Sequence, residues 1–418
     1  MLIMFEALVS KLSTILTIGL CSIPGVGCAN AAGVAEPPNA LNISLPTGFE
    51  INIFAKLNGA GAEYFKGPRM LAFDKAGNLF VSLGKANQVL MLPDTNKDGL
   101  AEAAVLISND LNAPNGLAFV GDDLLVANQD GVVKLSKKNN QWSAPQAFIG
   151  GLASGGHTLK TIKIGPDNHL YINVGSSCNV CREDDPSRAT ILRYSLDAKS
   201  ADAKPAGAIA LVGRHNLAPI WAKGLRNSQG FAWHPKTGAM FATNNGSDMR
   251  SDKKNGKVND EIPPEHFNKI EPNKHYGWPH CWADSKKLNS MFEDPNFVGE
   301  PDFCASASAP AITFDSHSTP IGVTFLDKTN FPAEYKNDAI VALHGSWNRK
   351  QLSGYKLVRV KFNGDNPAEV VDFATGWLNT ISNNAWGRPV DVITGPDGAL
   401  YVSDDRAGNI YRISYKAK

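Results

Sequence analysis

The chain has 418 residues, of which 43% are hydrophobic and 19% are charged, a composition typical of a globular protein with ample material for a core. Its 41 lysine and arginine residues nearly balance its 40 aspartate and glutamate residues, which leaves a formal net charge of +1. This balance argues against nucleic acid or an anionic membrane surface as the main partner.

The N-terminal region is predicted to be an export signal. After Lys11 the run "LSTILTIGLCSIPGVGCANAAG" is apolar and ends in small residues around Ala29 and Ala31, which resembles a secretory signal with its cleavage site. We therefore expect residues 1–31 to be a signal peptide, residues 32–418 to form one domain, and the mature protein to be periplasmic or secreted. A lipid anchor on Cys28 is the alternative. No later stretch approaches the ~18 apolar residues of a membrane helix, so no membrane span is predicted.

Four cysteines remain once the leader is removed, and they predict disulfides. An even number of cysteines in an exported protein favours Cys178–Cys181 and Cys281–Cys304 as the simplest of three pairings. A dithiol redox centre is the lesser interpretation of the C-x-x-C pair at 178–181. Zinc is disfavoured because no second close pair of ligands complements the first. Haem attachment is excluded because Arg182 stands where histidine is required.

Six similar units follow one another along the chain. Each is a short apolar strand (A), a turn rich in Gly, Asp, Asn or Pro, and a second alternating strand (B). The units are "RMLAFDKAGNLFVSLG" (69–84), "NGLAFVGDDLLVANQ" (115–129), "LKTIKIGPDNHLYINVG" (159–175), "SQGFAWHPKTGAMFATNNG" (228–246), "IGVTFLDKTNFPAEYKNDAIVALHG" (321–345) and "PVDVITGPDGALYVSD" (389–404). The pattern predicts an all-β fold, a six-bladed β-propeller in which the N-terminal segment 49–57 supplies the missing strand of the last blade and closes the ring. A β-sandwich with accidental turn similarity is the alternative.

The repeat geometry sorts the remaining residues onto two edges of the ring. Strands A and B are antiparallel, so the start of A and the end of B share one edge, and the A–B turns lie on the other. On the turn edge, His169 and His234 are interpreted as surface residues. The loop at 94–102 lies on the same turn edge and resembles the start of a calcium-binding loop. Val105 replaces the glutamate expected at position twelve of such a loop, so any calcium bound there is structural or weakly held.

The other edge, which we call the site rim, collects the unusual residues. Arginines from four different repeats reach it: Arg69, Arg226, Arg349 and Arg388. Guanidinium groups that converge on one place predict an anionic ligand, whereas a single arginine on a rim indicates no more than a salt bridge.

Several motifs on this rim resemble a known family. The segments "GLRNSQG", "DEI" with "YGWP", "LHGSWNR" and "GPDGALYVSDD" resemble the soluble quinoprotein sugar dehydrogenases, especially the sorbosone dehydrogenase branch, and the resemblance runs from about Gly48 to the C-terminus. It implies a six-bladed propeller that binds pyrroloquinoline quinone (PQQ) and Ca²⁺. It also implies oxidation of an aldose or a sorbosone-like aldosulose at C1, with electrons passed to an unidentified acceptor, a cytochrome or a quinone.

The same resemblance implies roles for individual residues. His157 matches the general base and Arg226 the residue that stabilises the developing quinone oxyanion, with Asn227 beside it holding the cofactor. Further cofactor contacts are expected from Arg69, His344, Trp347, Asn348, Arg349 and Arg388. Calcium is expected on the carbonyls of Gly246 and Ser247 and the carboxylate of Asp248. The segment at 247–258 departs from glucose-oxidising relatives, which favours the sorbosone-like branch. The disulfide at 178–181 is expected to stiffen the wall of the site.

Two other functions remain open from the sequence. A calcium-dependent lactonase on a similar propeller would be a hydrolase with no organic cofactor, and it would have little use for converging arginines. A non-catalytic propeller that binds a glycan or a protein would leave His157 and Arg226 without a chemical role.

Overall fold

The computed structural model describes residues 41–57, 67–196, 220–287 and 289–416. They fall within a unit that spans Asn39–Lys418, and the predicted signal peptide lies outside the described residues. Strands dominate, and the helices among the described residues are a short α-helix, Phe303–Ser306, and a 3₁₀ turn, Ala333–Tyr335. In this part of the chain no helix is both long and apolar enough to cross a membrane.

Six four-stranded antiparallel sheets form the blades of a propeller, which confirms the predicted fold class. Numbered in chain order, the first strand is β1 (Phe49–Lys56), and blade 1 follows with β2 (Leu71–Phe73), β3 (Leu79–Leu83), β4 (Gln88–Leu92) and β5 (Val105–Ser108). Blade 2 consists of β6 (Leu117–Val120), β7 (Asp123–Ala127), β8 (Gly131–Leu135) and β11 (Gln146–Gly150), with a hairpin of β9 (Lys137–Lys138) and β10 (Gln141–Trp142) between the last two. Blade 3 consists of β12 (Ile162–Ile164), β13 (His169–Val174), β14 (Thr190–Ser195) and β15 (Ile220–Lys223).

The second half of the ring carries the longer insertions. Blade 4 consists of β16 (Phe231–Trp233), β17 (Met240–Asn244), β18 (Glu265–Ile270) and β21 (Ile312–Phe314), with a hairpin of β19 (Cys281–Ala283) and β20 (Met291–Glu293) before the last strand. Blade 5 consists of β22 (Pro320–Phe325), β23 (Ala339–Leu343), β24 (Lys356–Asn363) and β25 (Asn366–Ala374). A hairpin of β26 (Leu378–Asn379) and β27 (Asn384–Ala385) precedes β28 (Pro389–Thr394), β29 (Leu400–Asp404) and β30 (Asn409–Tyr415) of blade 6.

The ring is closed by the N-terminal strand, as predicted. Strand β1 pairs antiparallel with β30 from Phe49 opposite Tyr415 to Lys56 opposite Asn409, and so becomes the outer strand of blade 6. The Phe49 ring packs edge-on against Phe331 and Phe373 of blade 5, at 4.7 and 5.1 Å between centroids. Pairing with β1 therefore satisfies the outer backbone groups of β30, and the packing of Phe49 joins blades 5 and 6.

Glycines let the innermost strands approach one another closely. A Cβ added to Gly116, which precedes β6, would lie 2.5 Å from the backbone nitrogen of Ile162 in blade 3. The corresponding Cβ on Gly230, which precedes β16, would lie 1.6 Å from the carbonyl oxygen of Ile321 in blade 5. Only glycine fits at such distances, because no side chain atom can share that space with a neighbouring backbone.

Candidate functional site

The site rim brings Arg226 and Asp248 together from two loops of blade 4. Arg226, just before β16, is 4% exposed, and its Nη2 donates to the Asp248 carboxylate at 2.9 Å. Asp248 Oδ1 accepts from Asn348 Nδ2 at 2.8 Å and lies 3.4 Å from His317 Nδ1. Burial opposes ionisation of Asp248, but the His317 hydrogen bond and the Arg226 charge hold its pKa below the usual range.

His157 lies at the same rim, at the entrance to blade 3. Its Nδ1 is 2.8 Å from Ser176 Oγ and 3.2 Å from the Ser176 carbonyl oxygen, which can only accept. A proton on Nδ1 serves this carbonyl and leaves Nε2 with a free lone pair. Burial, followed by the charge of Arg226, lowers the pKa of His157 to about 4. Near neutral pH the imidazole is therefore uncharged and able to accept a proton.

Arg69 reaches across the centre of the ring instead of lining its mouth. It is fully buried and donates through Nη1 to Asp405 at 2.8 Å, through Nη2 to Gln229 at 3.1 Å and through Nε to Asn115 at 3.2 Å. Asp405 belongs to blade 6, Gln229 to blade 4 and Asn115 to blade 2, so this one guanidinium joins three blades. Each described contact of Arg69 strengthens the centre of the propeller.

His344 and Arg388 extend the same buried network. His344 Nε2 lies 2.9 Å from Asp405 Oδ1, and Arg388 Nη2 donates to His344 Nδ1 at 3.0 Å. Since that nitrogen must offer a lone pair, the imidazole is neutral, in agreement with burial and the Arg388 charge, which lower the pKa of His344 to about 4. Burial opposes ionisation of Asp405, but the His344 hydrogen bond and the charge of Arg69 hold its pKa below the usual range.

The loop at 344–349 divides its side chains between the site and the surface. Asn348 faces Asp248, as described above, while the Trp347 side chain is 60% exposed. Arg349 is engaged by other groups, since its Nη1 donates to the Ser316 carbonyl at 3.0 Å and its Nη2 pairs with Glu261 at 2.5 Å. Three of the four predicted arginines are therefore buried at or below the rim, and the fourth is held in an ion pair whose carboxylate is 71% exposed.

The predicted metal residues lie beside unpartnered oxygen atoms. The Gly246 N–H donates to Glu265 Oε2 at 2.5 Å, and burial raises the pKa of Glu265 to about 7. The Oδ1 atoms of Asn227 and Asn245 are buried and have no hydrogen-bond partner among the described residues. Unsatisfied amide oxygens next to Asp248 are ligands of the type that Ca²⁺ prefers, so the donor set fits this cation. The buried guanidinium of Arg226 likewise fits a ligand that carries carboxylates.

The cysteines pair as predicted. Disulfides join Cys178 to Cys181 and Cys281 to Cys304. In the described residues, the one group of three His, Cys, Asp or Glu ligands with metal-like spacing is Cys178, Cys181 and Glu183. Its two sulfurs are bonded to each other, so they are not thiolate ligands.

Sequence reasoning missed several residues of the site. Asn179 contacts Arg226 and Asp248, His317 lies beside Asp248, and Asp405 joins the central network. The position of Asp405 directly after strand B of the last repeat was a signal that could have identified it. Asn179 shares part of this signal, because it lies in the loop after strand B of the third repeat, whereas His317 lies in an irregular loop without one.

One prediction on the opposite edge is wrong. His234 lies in an A–B turn but is 1% exposed, because its ring packs on Phe325 and Phe362 at 5.2 Å. In the loop at 94–102, Glu102 Oε1 accepts from the N–H groups of Thr95 and Asn96, so this carboxylate stabilises the loop internally.

Three comparisons relate the chain to known proteins. A family model described as TrAA12-like matches residues 56–416. An uncharacterized protein of Borreliella burgdorferi is 27% identical over 396 residues, which cover 90% of this chain and 91% of that protein. The pyrroloquinoline quinone-dependent pyranose dehydrogenase of Coprinopsis cinerea is 26% identical over 310 residues, 64% of this chain but 41% of the length of the dehydrogenase. The chain also superposes on the calcium structure of a Trichoderma reesei enzyme of Carbohydrate-Active Enzymes Family AA12, with a TM-score of 0.75 and 20% identity. The superposition covers 90% of this chain and 97% of that one, and it shows a shared fold.

Proposed function

Because the chain belongs to the TrAA12-like family, we propose that it is a quinoprotein oxidoreductase that oxidises a sugar with PQQ and Ca²⁺. The observation that carries the proposal is the position of a neutral imidazole, His157, next to a buried guanidinium, Arg226. Ser176 links the backbones of the two residues, because its N–H donates to the Arg226 carbonyl at 2.8 Å and its own carbonyl accepts from the His157 backbone N–H at 2.9 Å. A base and a fixed positive charge are what removal of a proton and a hydride equivalent from a carbinol requires.

His157 is the general base of this proposal. With Nδ1 engaged by Ser176, Nε2 accepts the proton of the substrate hydroxyl at C1. Asp248 favours the imidazolium that results, since its charge raises the pKa of His157 against the effect of burial. The substrate proton thus has an acceptor that is unprotonated at neutral pH, and Asp248 offsets part of the effect of burial once the imidazole is charged.

Arg226, Asn227 and the loop at 246–248 would hold the cofactor and the cation. When bound, PQQ accepts two electrons from the substrate carbon and Ca²⁺ acts on it as a Lewis acid. Arg226 supplies a positive charge in a dry environment, and the unpartnered amide oxygens of Asn227 and Asn245 supply oxygen ligands near Asp248. Arg69, His344 and Arg388 support this region from the centre of the ring, and direct contacts from them to the cofactor remain a prediction, as for Trp347, Asn348 and Arg349.

The finer substrate assignment is an aldose or a sorbosone-like aldosulose. The exposed indole of Trp347 and the 56%-exposed Met249 are the sequence neighbours of Asn348 and Asp248, and they offer apolar surface to the face of a sugar ring. The two disulfides support a periplasmic or secreted location, and the electron acceptor is expected to be a cytochrome or a quinone.

Dye-linked oxidation tests the proposal. The purified protein is incubated with PQQ and CaCl₂, freed of excess cofactor, and assayed with aldoses and sorbosone by reduction of an artificial electron acceptor. We expect activity only when both PQQ and calcium have been supplied. Dye reduction without PQQ would contradict the assignment of this cofactor, whereas hydrolysis of a sugar lactone by the calcium-loaded protein without PQQ would favour the lactonase alternative.

A further inference from the structure

The turn closed by the Cys178–Cys181 disulfide reaches from blade 3 into the loops of blade 4. It follows β13 directly, and both of its cysteines are partly buried. Its second residue, Asn179, contacts both members of the Arg226–Asp248 ion pair. A disulfide between cysteines three positions apart restricts the backbone of the turn. The orientation of the Asn179 backbone is therefore set by the turn itself.

Asn179 satisfies most of the hydrogen-bonding groups on one side of Arg226. Its Oδ1 accepts from Arg226 Nη2 and from the Asp248 N–H, each at 2.8 Å, and its Nδ2 donates to the Asp248 carbonyl at 2.9 Å. Its own carbonyl oxygen accepts from Arg226 Nε at 3.1 Å and from Trp278 Nε1 at 3.0 Å. One asparagine therefore contacts three separate segments of blade 4.

These contacts set the plane of the Arg226 guanidinium. Two of its nitrogens, Nε and Nη2, are held by the same residue, and a planar group held at two points cannot rotate about its long axis. Nη1 makes the weakest described contact of the three, at 3.5 Å to the Asn245 carbonyl. Asn179 thus leaves Nη1 as the donor that remains for a ligand.

We propose that Asn179 is a positioning residue for Arg226, and that the Cys178–Cys181 disulfide keeps it in place. The same turn also reaches His157, because Ser176 Oγ, which is hydrogen-bonded to His157 Nδ1, donates to the Cys178 carbonyl at 2.7 Å. The turn therefore orders both the base and the guanidinium of the proposed reaction. The geometric part of this inference is independent of the proposed function, and its effect on cofactor affinity rests on that function.

The geometric part is tested on the cofactor-free protein. In protein labelled with ¹⁵N-arginine, the Nε–H and Nη–H signals of Arg226 are assigned by their loss in Arg226→Lys, and their hydrogen exchange is then measured. We expect Asn179→Ala to accelerate exchange of the Nη2–H about tenfold, because this group loses its Asn179 Oδ1 acceptor, while the backbone carbonyl that accepts from Nε–H remains. The double variant Cys178→Ser/Cys181→Ser, which frees the backbone of the turn, should accelerate exchange of both groups. Val180→Ala, in the same turn but without a described hydrogen bond of its side chain, is the matched control and should exchange as the wild type does.

The functional part is tested by a double-mutant cycle on PQQ affinity in the presence of CaCl₂. Asn179→Ala should weaken PQQ binding about tenfold in the wild-type background and change it little in an Arg226→Ala background, since a residue that acts through Arg226 has nothing to act on there. Thermal melting of each variant confirms that it is folded, and Arg226→Lys replaces Arg226→Ala if the latter is not.

Each outcome bears on a different statement. Unchanged exchange of the Arg226 Nη2–H in Asn179→Ala overturns the positioning role, whatever the PQQ affinity. Equal losses of affinity in both backgrounds overturn it as well, because they indicate general loosening. A wild-type protein that does not bind PQQ contradicts the proposed function, while the exchange experiment still decides the role of Asn179.

Discussion

Arg226 shows how a charged group can be buried at a site without being neutralised. Its ion pair with Asp248 is shared, because the same carboxylate also accepts from Asn348 and lies near His317. Two of its remaining contacts are to the neutral carbonyl and amide oxygens of Asn179. Positive charge therefore remains available beside His157, and this charge is one reason why the imidazole stays unprotonated.

Replacement of His157 tests its assignment as the base. His157→Ala should reduce kcat of the PQQ-loaded protein by about a thousandfold, because a positioned base contributes roughly 10²–10⁴ in rate. PQQ uptake should be unchanged, since no cofactor contact is assigned to this side chain. Stopped-flow dye reduction measures kcat, and equilibrium dialysis measures PQQ uptake.

His169→Ala is the matched control, because this histidine lies at an A–B turn on the opposite edge, where it contacts Asp167. His169→Ala should leave both kcat and PQQ uptake unchanged. Loss of PQQ uptake in His157→Ala would mean that the histidine has a structural role.

At the scale of elements, the inner strands position the site rim and the loops carry its chemistry. The first strands of blades 4 and 5 pack so closely that the backbone of Gly230 contacts the carbonyl oxygen of Ile321. Thr243 Oγ1 donates a hydrogen bond to the same oxygen at 3.1 Å. Arg226 and Asn227 lie just before this strand. A change in the strand spacing is therefore transmitted to the residues that are proposed to hold the cofactor.

Gly230→Ala tests this close packing. The added methyl group would lie 1.6 Å from the Ile321 carbonyl oxygen, so the two strands must separate. We expect the free energy of unfolding to fall by about 3 kcal/mol, at the upper end of overpacking effects, when it is measured by urea unfolding. Gly84→Ala, whose new Cβ would meet no atom closer than the Pro114 carbonyl at 3.3 Å, should have a much smaller effect. Equal effects in both variants would contradict the packing argument.

The molecule as a whole combines a closed ring with several buried histidines that are uncharged near neutral pH. Burial lowers the pKa of His157, His266, His275 and His344 to about 4. In the opposite direction, burial raises the pKa of Glu265 to about 7 and that of Asp404 to about 6. The neutral histidines contribute fully to the free energy of unfolding above the ordinary histidine pKa of about 6.5. This contribution is lost as the pH falls towards 4, because the unfolded chain then binds protons that the folded chain does not.

Stability should therefore decrease on mild acidification. Between about pH 6.5 and 4.5, four histidines destabilise the fold as the pH falls, and the two carboxyl groups oppose them only in part. Urea midpoints measured across this range should decrease with pH. His266→Gln, which replaces a buried imidazole, should reduce the slope of the midpoint against pH. A midpoint that is constant or rises on acidification would contradict this prediction.

The sequence by itself determined the strands, their number of repeats and the closure of the ring. Apolar alternation and turn residues are local properties, so the predicted unit at 69–84 contains β2 and β3, the unit at 389–404 contains β28 and β29, and the segment at 49–57 contains β1. Antiparallel pairing then assigned His157 and Arg226 to one edge without any knowledge of their contacts. Both disulfides also followed from the cysteine count and spacing.

Only the tertiary structure decided which charges meet. Arg69 pairs with Asp405, which is 336 positions away, and Asn179 donates to the carbonyl of Asp248, which is 69 positions away, through loops whose shapes no periodicity encodes. The structure accordingly places Arg69 across the centre of the ring and turns Arg349 towards Glu261, although all four arginines looked equivalent in the repeats. Strand geometry is repeated from blade to blade, whereas hydrogen bonds between irregular loops depend on the positions of all the blades at once.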